Sequence, residues 1–215
     1  SIFISSLIPI QTRLMGRLGL DISNFQITNI EIHILFIITI FGLLGVVDDL
    51  INMGWWPKII FPIFLSFPII NIIRLEFFEI PFLGEYNLRN YAYWNIEYRD
   101  IFSILIIPIY MMVVPNLMNM HSGFNGLQSG LSVILLFTLI IKCQIDGDTD
   151  NLLIFYIFFG GIFSLWLYNR YPSRIFEGNM GSMAFGAGIA SLIIIKNYYW
   201  FGIFILIPHI VDFLM

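Results

Sequence analysis

Two adjacent aspartates are the first residues of this chain whose types and spacing could do chemistry. Asp48 and Asp49 end an apolar run, and Lys58 follows after two tryptophans and a proline. Neighbouring residues do not share a helix face, so the two carboxylates should point apart at a helix end. One could then meet a metal ion or Lys58 while the other acts as a base. From this cluster alone, an acidic cap where the apolar run meets water remains the alternative.

A second polar cluster lies between two apolar runs, in residues 116–128. Asn116 and Asn119 are three residues apart and share a face if the segment is helical. Asn125 and Gly126 follow, and the glycine lets the backbone approach a ligand closely. Amides offer a neutral oxygen to a hard cation, or hydrogen bonds to a substrate. So many amides between apolar runs favour a binding site over simple packing.

A third cluster, residues 168–182, leads into a stretch rich in glycine and alanine. The start of a helix at Gly178 would present free N–H groups and a positive dipole to an anion. Arg170 and Arg174 add charge suited to phosphate, although a basic loop with a helix cap is the alternative. Together the three clusters suit metal-assisted phosphoryl transfer, in which the metal neutralises phosphate oxygens and a carboxylate handles the nucleophile.

The composition decides what kind of scaffold must position these residues. Of 215 residues, 59% are hydrophobic and 11% are charged, whereas a soluble domain carries about 25% charged residues. A soluble globular domain is therefore excluded. The net charge of −4, without a basic run, excludes a nucleic-acid-binding surface. A single cysteine, Cys143, excludes a disulfide framework and a cysteine-based zinc site.

Apolar runs separated by short polar segments predict the architecture. The runs are approximately 1–10, 32–47, 59–73, 101–115, 129–142, 152–168, 182–195 and 199–215. Open strands would leave backbone groups unpaired in lipid, so the isoleucine-rich runs should be helices. We predict an all-α, polytopic transmembrane helix bundle with seven or eight spans, forming one integral membrane domain over residues 1–215. Segment 74–100 is predicted to be an extracytosolic loop that could hold a short hairpin.

Four motifs follow one another in a recognisable order over residues 40–215. They read GVVDDLINMGWWPK, PNLMNMHSGFNGLQSG, YNRYPSRIFEGNMGSMAFGAG and IPHIVDFL. They resemble the polyprenyl-phosphate N-acetylhexosamine-1-phosphate transferases (glycosyltransferase family 4 type), above all the archaeal and eukaryotic branch that makes dolichyl-diphosphate-GlcNAc. The resemblance implies an integral membrane enzyme that moves GlcNAc-1-phosphate from UDP-GlcNAc to a polyprenyl phosphate such as dolichyl phosphate and releases UMP. It implies Mg²⁺ as cofactor, with Mn²⁺ as a substitute.

The same resemblance assigns roles to individual residues. Asp48 and Asp49 match paired catalytic aspartates, and Lys58 matches a lysine that meets phosphates. Asn119 and Asn179 match metal ligands, although relatives commonly carry aspartate at the second position. The implied substrate-binding residues are Asn116, Asn125, Gly126, Arg174, Gly178 and His209.

The resemblance also implies a membrane location and a longer protein. The active site would lie on the cytosolic face of an archaeal cell membrane or a eukaryotic endoplasmic reticulum membrane, and a homodimer is left open. Neither end resembles a natural terminus, so we expect a fragment of a fold of about ten spans of roughly 20 residues each. The loss of charge at Asn179 favours an alternative, a non-catalytic relative that binds lipid phosphate or nucleotide sugar, or serves as a membrane subunit.

Overall fold

The computed structural model describes residues 29–70, 77–80, 84–87, 92–93, 96–148 and 150–214. Most of these residues are helical. In chain order the helices are α1 Asn29–Ile51, α2 Trp55–Leu65, α3 Phe67–Ile70, α4 Tyr98–Met120, α5 Leu127–Asp146, α6 Leu152–Asn169, α7 Gly178–Ile195, α8 Tyr199–Ile205 and α9 Ile207–Leu214.

The prediction of a polytopic helix bundle is confirmed. Five of the described helices, α1 and α4 to α7, are long and apolar enough to cross a membrane. The shorter pairs α2–α3 and α8–α9 occupy the apolar runs predicted at 59–73 and 199–215, and the run 1–10 lies outside the described residues. Isoleucine-rich sequence forms helices here because a helix satisfies its backbone hydrogen bonds within one segment, as the bilayer interior requires.

Short strands lie between α3 and α4. Strand β1 (Phe77–Ile80) pairs antiparallel with β2 (Gly84–Asn87), with Ile80 opposite Gly84. Strand β3 (Ala92–Tyr93) pairs antiparallel with β4 (Ile96–Glu97). The segment 74–100 thus contains two small hairpins among its described residues.

Helix α7 is the central element, because glycines at its contacts with two other helices let the backbones approach closely. A Cβ atom at Gly186 of α7 would lie 2.4 Å from the Cα atom of Pro115 in α4. A Cβ atom at Gly45 of α1 would lie only 2.3 Å from the carbonyl oxygen of Asn179 in α7. These close approaches hold the end of α1 against the first turn of α7 and hold α4 against α7 about two turns further along.

The other ends of α5 and α7 are held together by charge. The Nζ atom of Lys196 lies 2.5 Å from Oδ1 of Asp148 and 2.8 Å from the carbonyl oxygen of Asp150. Asp146 accepts hydrogen bonds from Lys142 and from the hydroxyl of Tyr198. Because Lys196 follows the last residue of α7, these contacts lie at the end of the bundle away from the first turn of α7.

Candidate active site

Asp48 is the centre of the predicted site, and its carboxylate is buried, with the residue 2% exposed. Its Oδ2 atom lies 2.7 Å from Nζ of Lys58 and accepts a 2.8 Å hydrogen bond from Nδ2 of Asn179. Its Oδ1 atom accepts a 3.0 Å hydrogen bond from the backbone N–H of Met53. The tertiary structure therefore brings three residues from the first and third clusters onto one carboxylate.

Asp49 points in another direction, as expected for adjacent residues on a helix. It is exposed, and its oxygens accept hydrogen bonds from the backbone N–H groups of Asn179, at 3.2 Å, and Met180, at 3.3 Å. The sequence predicts an anion from outside the chain at this helix start. That prediction is wrong for these two N–H groups, because Asp49 supplies the anion and complements the helix dipole.

Gly178 is required where α7 meets Asp49. Its φ of +61° belongs to the left-handed region that glycine adopts without strain. A Cβ atom here would also lie 3.1 Å from Oδ2 of Asp49. The predicted substrate-binding glycine thus lies in the site, where it lets the carboxylate reach the first turn of α7.

The two asparagines of α4 connect the second cluster to this centre. Nδ2 of Asn116 donates to the carbonyl oxygen of Lys58 at 2.8 Å and to that of Met112 at 2.7 Å. Oδ1 of Asn119 accepts a 2.5 Å hydrogen bond from the hydroxyl of Ser182 in the first turns of α7. Asn116 therefore fixes the backbone that carries the lysine, while Asn119 lies beside the start of α7.

Asn169 joins the second cluster to the third, and the sequence reasoning did not identify it. Its buried Oδ1 atom accepts hydrogen bonds from the backbone N–H of Gly126 and the hydroxyl of Ser129, both at 2.8 Å. Its Nδ2 atom donates to the carbonyl oxygen of Ile175 at 2.8 Å. The signal available in the sequence was an amide at the end of an apolar run, where a buried polar group needs partners.

Replacing Asn169 with alanine is expected to lower the free energy of unfolding by about 3 kcal/mol, since its buried side chain loses three hydrogen bonds worth about 1 kcal/mol each. Ser129→Ala is the graded control, because it removes one of these bonds and should cost about 1 kcal/mol. Thermal unfolding of the purified variants in detergent measures both. Equal midpoints for the two variants would show that Asn169 does not tie the loops together.

The two arginines of the third cluster lie in the loop after α6. With Leu167, Tyr168, Tyr171 and Pro172, both Arg170 and Arg174 line a cavity of about 310 Å³. The backbone N–H of Arg174 donates to the carbonyl oxygen of Tyr168 at 2.9 Å. Asn125 is exposed in the turn between α4 and α5.

His209 of α9 is fully buried, and neither ring nitrogen has a hydrogen-bond partner within the described part of the chain. Its ring lies 4.6 Å, centroid to centroid, from that of His121 at the end of the second cluster. Nε2 of His121 in turn lies 3.1 Å from Oδ2 of Asp212. The structure thus places His209 against the second cluster, through a pair with His121 that the sequence reasoning did not anticipate.

Glu177 lies two residues from Asn179, for which the sequence resemblance implies a metal-binding role, but it does not join the hydrogen bonds of Asp48. Both carboxylate oxygens are buried, and neither has a hydrogen-bond partner among the residues that the structure describes. Burial raises the pKa of this side chain to about 7. Glu177 therefore does not replace the negative charge that Asn179 lacks.

The side chains at this end of the bundle carry the type of ligand atom, oxygen, that a hard cation prefers. Asp48 and Asp49 provide carboxylates, and Asn119 and Asn179 provide amides, all of which offer oxygen ligands. Within the described part of the chain, no three His, Cys, Asp or Glu residues form a metal-binding group. Mg²⁺ commonly needs only one or two carboxylates, because substrate phosphates and water complete its shell. The donor set therefore fits Mg²⁺ bound together with a phosphorylated substrate.

The amino-acid sequence is similar to those of known proteins. A family model described as glycosyl transferase family 4 matches residues 32–197. A candidate glycosyltransferase of Methanocaldococcus jannaschii is 32% identical, covering 84% of this chain and 53% of that protein. A candidate UDP-N-acetylglucosamine–dolichyl-phosphate N-acetylglucosaminephosphotransferase of Sulfolobus acidocaldarius is 29% identical, covering 88% of this chain and 56% of the relative.

A bacterial protein has a similar sequence identity to this chain. The phospho-N-acetylmuramoyl-pentapeptide-transferase of Dictyoglomus turgidum is 33% identical, covering 74% of this chain and 50% of that enzyme. The chain spans about half the length of these curated relatives.

Proposed function

Because the chain belongs to glycosyl transferase family 4, we propose that it transfers an N-acetylhexosamine 1-phosphate from a UDP-sugar to a polyprenyl phosphate. The observation that carries the proposal is the convergence of Asp48, Asp49, Lys58 and Asn179 at one end of an apolar helix bundle. The specific substrates we propose are UDP-GlcNAc and dolichyl phosphate, with the site on the cytosolic face. The name of the Sulfolobus acidocaldarius relative supports these two substrates.

The reaction is a phosphoryl transfer between two phosphate groups. An oxygen of the lipid phosphate forms a bond to the β-phosphorus of UDP-GlcNAc. The bond from that phosphorus to the oxygen bridging the two phosphates breaks, and its electron pair leaves with UMP. The lipid diphosphate keeps the sugar, so no oxidant or reductant is needed. The protein's task is to position the two phosphates and to stabilise their charge.

Lys58 is the group best placed to bind a phosphate. Its ammonium has three N–H donors, and the contact with Asp48 uses one of them. The side chain is 26% exposed, so the remaining donors are accessible to phosphate oxygens from outside. Asp48 acts as a positioning residue, because it is buried and holds both the lysine and the amide of Asn179.

Asp49 is the carboxylate we assign to the nucleophile, because it is exposed whereas Asp48 is buried. It can accept a proton from a singly protonated lipid phosphate as that phosphate attacks. The first turn of α7 holds the carboxylate in place through two backbone N–H groups. Asp49 would hold Mg²⁺ together with the amide oxygens of Asn119 and Asn179, and Asp48 would position Asn179 by accepting its Nδ2 hydrogen bond. Bound Mg²⁺ would neutralise the phosphate oxygens of the two substrates.

The direct test is release of UMP from UDP-GlcNAc by the purified protein with dolichyl phosphate and Mg²⁺. Omitting the lipid phosphate is the blank, and UDP-MurNAc-pentapeptide is the competing sugar donor. We expect release that depends on the acceptor and prefers UDP-GlcNAc. A folded, full-length protein that releases no UMP above the blank with either donor would contradict the proposal.

A second function is favoured by one observation, that the amide of Asn179 and the ammonium of Lys58 already satisfy Asp48 without a metal ion. A relative that binds nucleotide sugar or lipid phosphate without turnover would keep such a network. Equilibrium binding of UDP-GlcNAc without UMP release would distinguish this function from the transferase.

Asn179→Asp tests whether this side chain faces the metal ion. The substitution replaces an amide donor, 2.8 Å from Oδ2 of Asp48, with a second carboxylate, so like charges repel until a cation binds. We expect a lower unfolding midpoint without Mg²⁺ and an apparent Mg²⁺ affinity about tenfold higher, which corresponds to about 1.4 kcal/mol. Thermal unfolding across a Mg²⁺ titration measures both effects.

The matched control is Gln144→Glu, which adds a carboxylate at an exposed position at the far end of α5. It should leave the Mg²⁺ dependence of the midpoint unchanged. If Asn179→Asp behaves like this control, position 179 does not contribute to a metal site.

A further inference from the structure

We propose that the cavity between the end of α6 and the loop after it binds the phosphate headgroup of an anionic membrane phospholipid. This lipid is distinct from the polyprenyl phosphate acceptor. The proposal does not depend on the transferase function, since it concerns binding alone.

The cavity has the size and the charge for such a headgroup. Its volume is about 310 Å³, far above the roughly 10–15 Å³ that a single water molecule requires. Arg170 and Arg174 line it, and no acidic residue does. Neither arginine has an ion pair with an acidic residue in the described ranges. Two unpaired guanidinium groups present the planar sets of donors that bind phosphate oxygens in pairs.

The position of the cavity corresponds to the depth of lipid headgroups. Helix α6 is long and apolar enough to cross a membrane and ends at Asn169, next to the cavity. The guanidinium carbon of Arg170 lies 5.8 Å from the ring centre of Trp166. Tyr168 and Tyr171, which also line the cavity, have exposed side chains. Tryptophan and tyrosine collect at the interface between lipid and water, where arginine side chains also extend their charge.

The surface below the cavity can receive the acyl chains of the same lipid. Of the five candidate spans, α6 is the least buried within the described structure, with 28% of its apolar window covered. Ile157, Phe163 and Leu167 are exposed along it, and Leu167 also lines the cavity. A lipid whose chains lie along α6 would therefore bring its headgroup to the two arginines. A water-soluble anion would gain nothing from this apolar surface.

The cavity is held in shape by contacts on its protein side. A Cβ atom at Gly126 would lie 2.9 Å from the Cα atom of Arg170, so the turn before α5 packs directly against this backbone. Asn169 anchors the same loop through Ile175, and Arg174 is bound to Tyr168 through the backbone. A site formed before the ligand arrives loses less entropy on binding.

The test is native mass spectrometry of the detergent-purified protein titrated with phosphatidylglycerol or with phosphatidylcholine. We expect one phosphatidylglycerol molecule to be retained in preference to phosphatidylcholine. Arg170→Gln should lower the apparent affinity for phosphatidylglycerol about fivefold, as expected for one basic residue at an anionic surface. Arg170→Lys should restore only part of it, because the ammonium keeps the charge without the planar set of donors. Lys142→Gln, at the other end of the bundle, is the matched control and should bind like the wild type.

Two results would overturn the proposal. The first is equal retention of phosphatidylglycerol by the wild type and by an Arg170→Gln, Arg174→Gln double variant that elutes as a single folded species. The second is displacement of the retained lipid by UDP, which would assign the arginines to the nucleotide. Because neither measurement involves turnover, failure of the transferase proposal would leave the result interpretable.

Discussion

Replacing Lys58 with methionine is expected to lower the rate of UMP release by about 10² to 10³-fold, the usual effect of removing one group that stabilises transition-state charge. It should also lower the free energy of unfolding by about 3 kcal/mol, since it leaves a buried carboxylate without its cation. The side chain of Asp48 is 1% exposed, whereas that of Lys58 is 26% exposed. The loss of unfolding free energy should therefore lie at the low end of the range of about 3–5 kcal/mol for breaking a buried ion pair.

A double variant separates the structural part of this effect from the functional part. Asp48→Asn combined with Lys58→Met removes both charges, so much of the lost stability should return. UMP release should stay low, because the cation that meets the phosphate is still absent. Unfolding midpoints and initial rates on the same preparations provide the two readouts.

The matched control is Lys142→Met. Lys142 pairs with Asp146 one helical turn along α5, at the other end of the bundle. Such a surface pair contributes about 0.3–0.5 kcal/mol to stability, and UMP release by this variant should be unchanged.

Recovery of UMP release in the Asp48→Asn, Lys58→Met double variant would contradict the role assigned to Lys58.

Gly45→Ala is expected to destabilise the bundle by about 3 kcal/mol or more, at the upper end of the cost of overpacking. The new Cβ atom would lie 2.3 Å from the carbonyl oxygen of Asn179 and 2.6 Å from the Cα atom of Met180. Both are backbone atoms of α7 and cannot turn away as a side chain would. Helices α1 and α7 must therefore separate, and Asp48 and Asp49 would lose their contacts with Asn179.

Gly42→Ala, one turn earlier on α1, is the matched control. Its Cβ atom would lie 3.6 Å from that of Ala184, an ordinary contact. Alanine is also the better helix former by about 1 kcal/mol, so this variant should be as stable as the wild type or more so. Thermal unfolding and UMP release measure both variants. Equal midpoints would show that α1 and α7 do not meet at Gly45.

Part of the site could be read from the sequence because charge is rare in this chain. With 11% charged residues, acids and amides at the ends of apolar runs are unexpected and therefore informative. Asp48 and Asn119 were identified in this way, Lys58 as the counter-ion of the aspartates, and Asn179 from the family resemblance. The structure places all four around the first turn of α7. The separation of Asp48 from Asp49 also followed from local geometry, since helical neighbours face different directions.

The partners of these residues could not be read in the same way. Asp48 and Asn179 are 131 residues apart in the chain, and no local pattern records that they meet. The amide of Asn169 ends an apolar run, but the sequence does not show that its hydrogen-bond partners are Gly126 and Ile175. The sequence predicts free N–H groups at the start of α7, but in the folded chain two of them donate to Asp49 of α1.

The order of amino acids alone determined the class of the fold and the kind of chemistry. Apolar runs must become helices in lipid because each backbone group has to find its partner within its own segment. Tertiary packing decided which carboxylate is buried with Lys58 and which one caps α7. That choice depends on how closely α1 approaches α7 at Gly45, a contact between distant segments that only the folded chain creates.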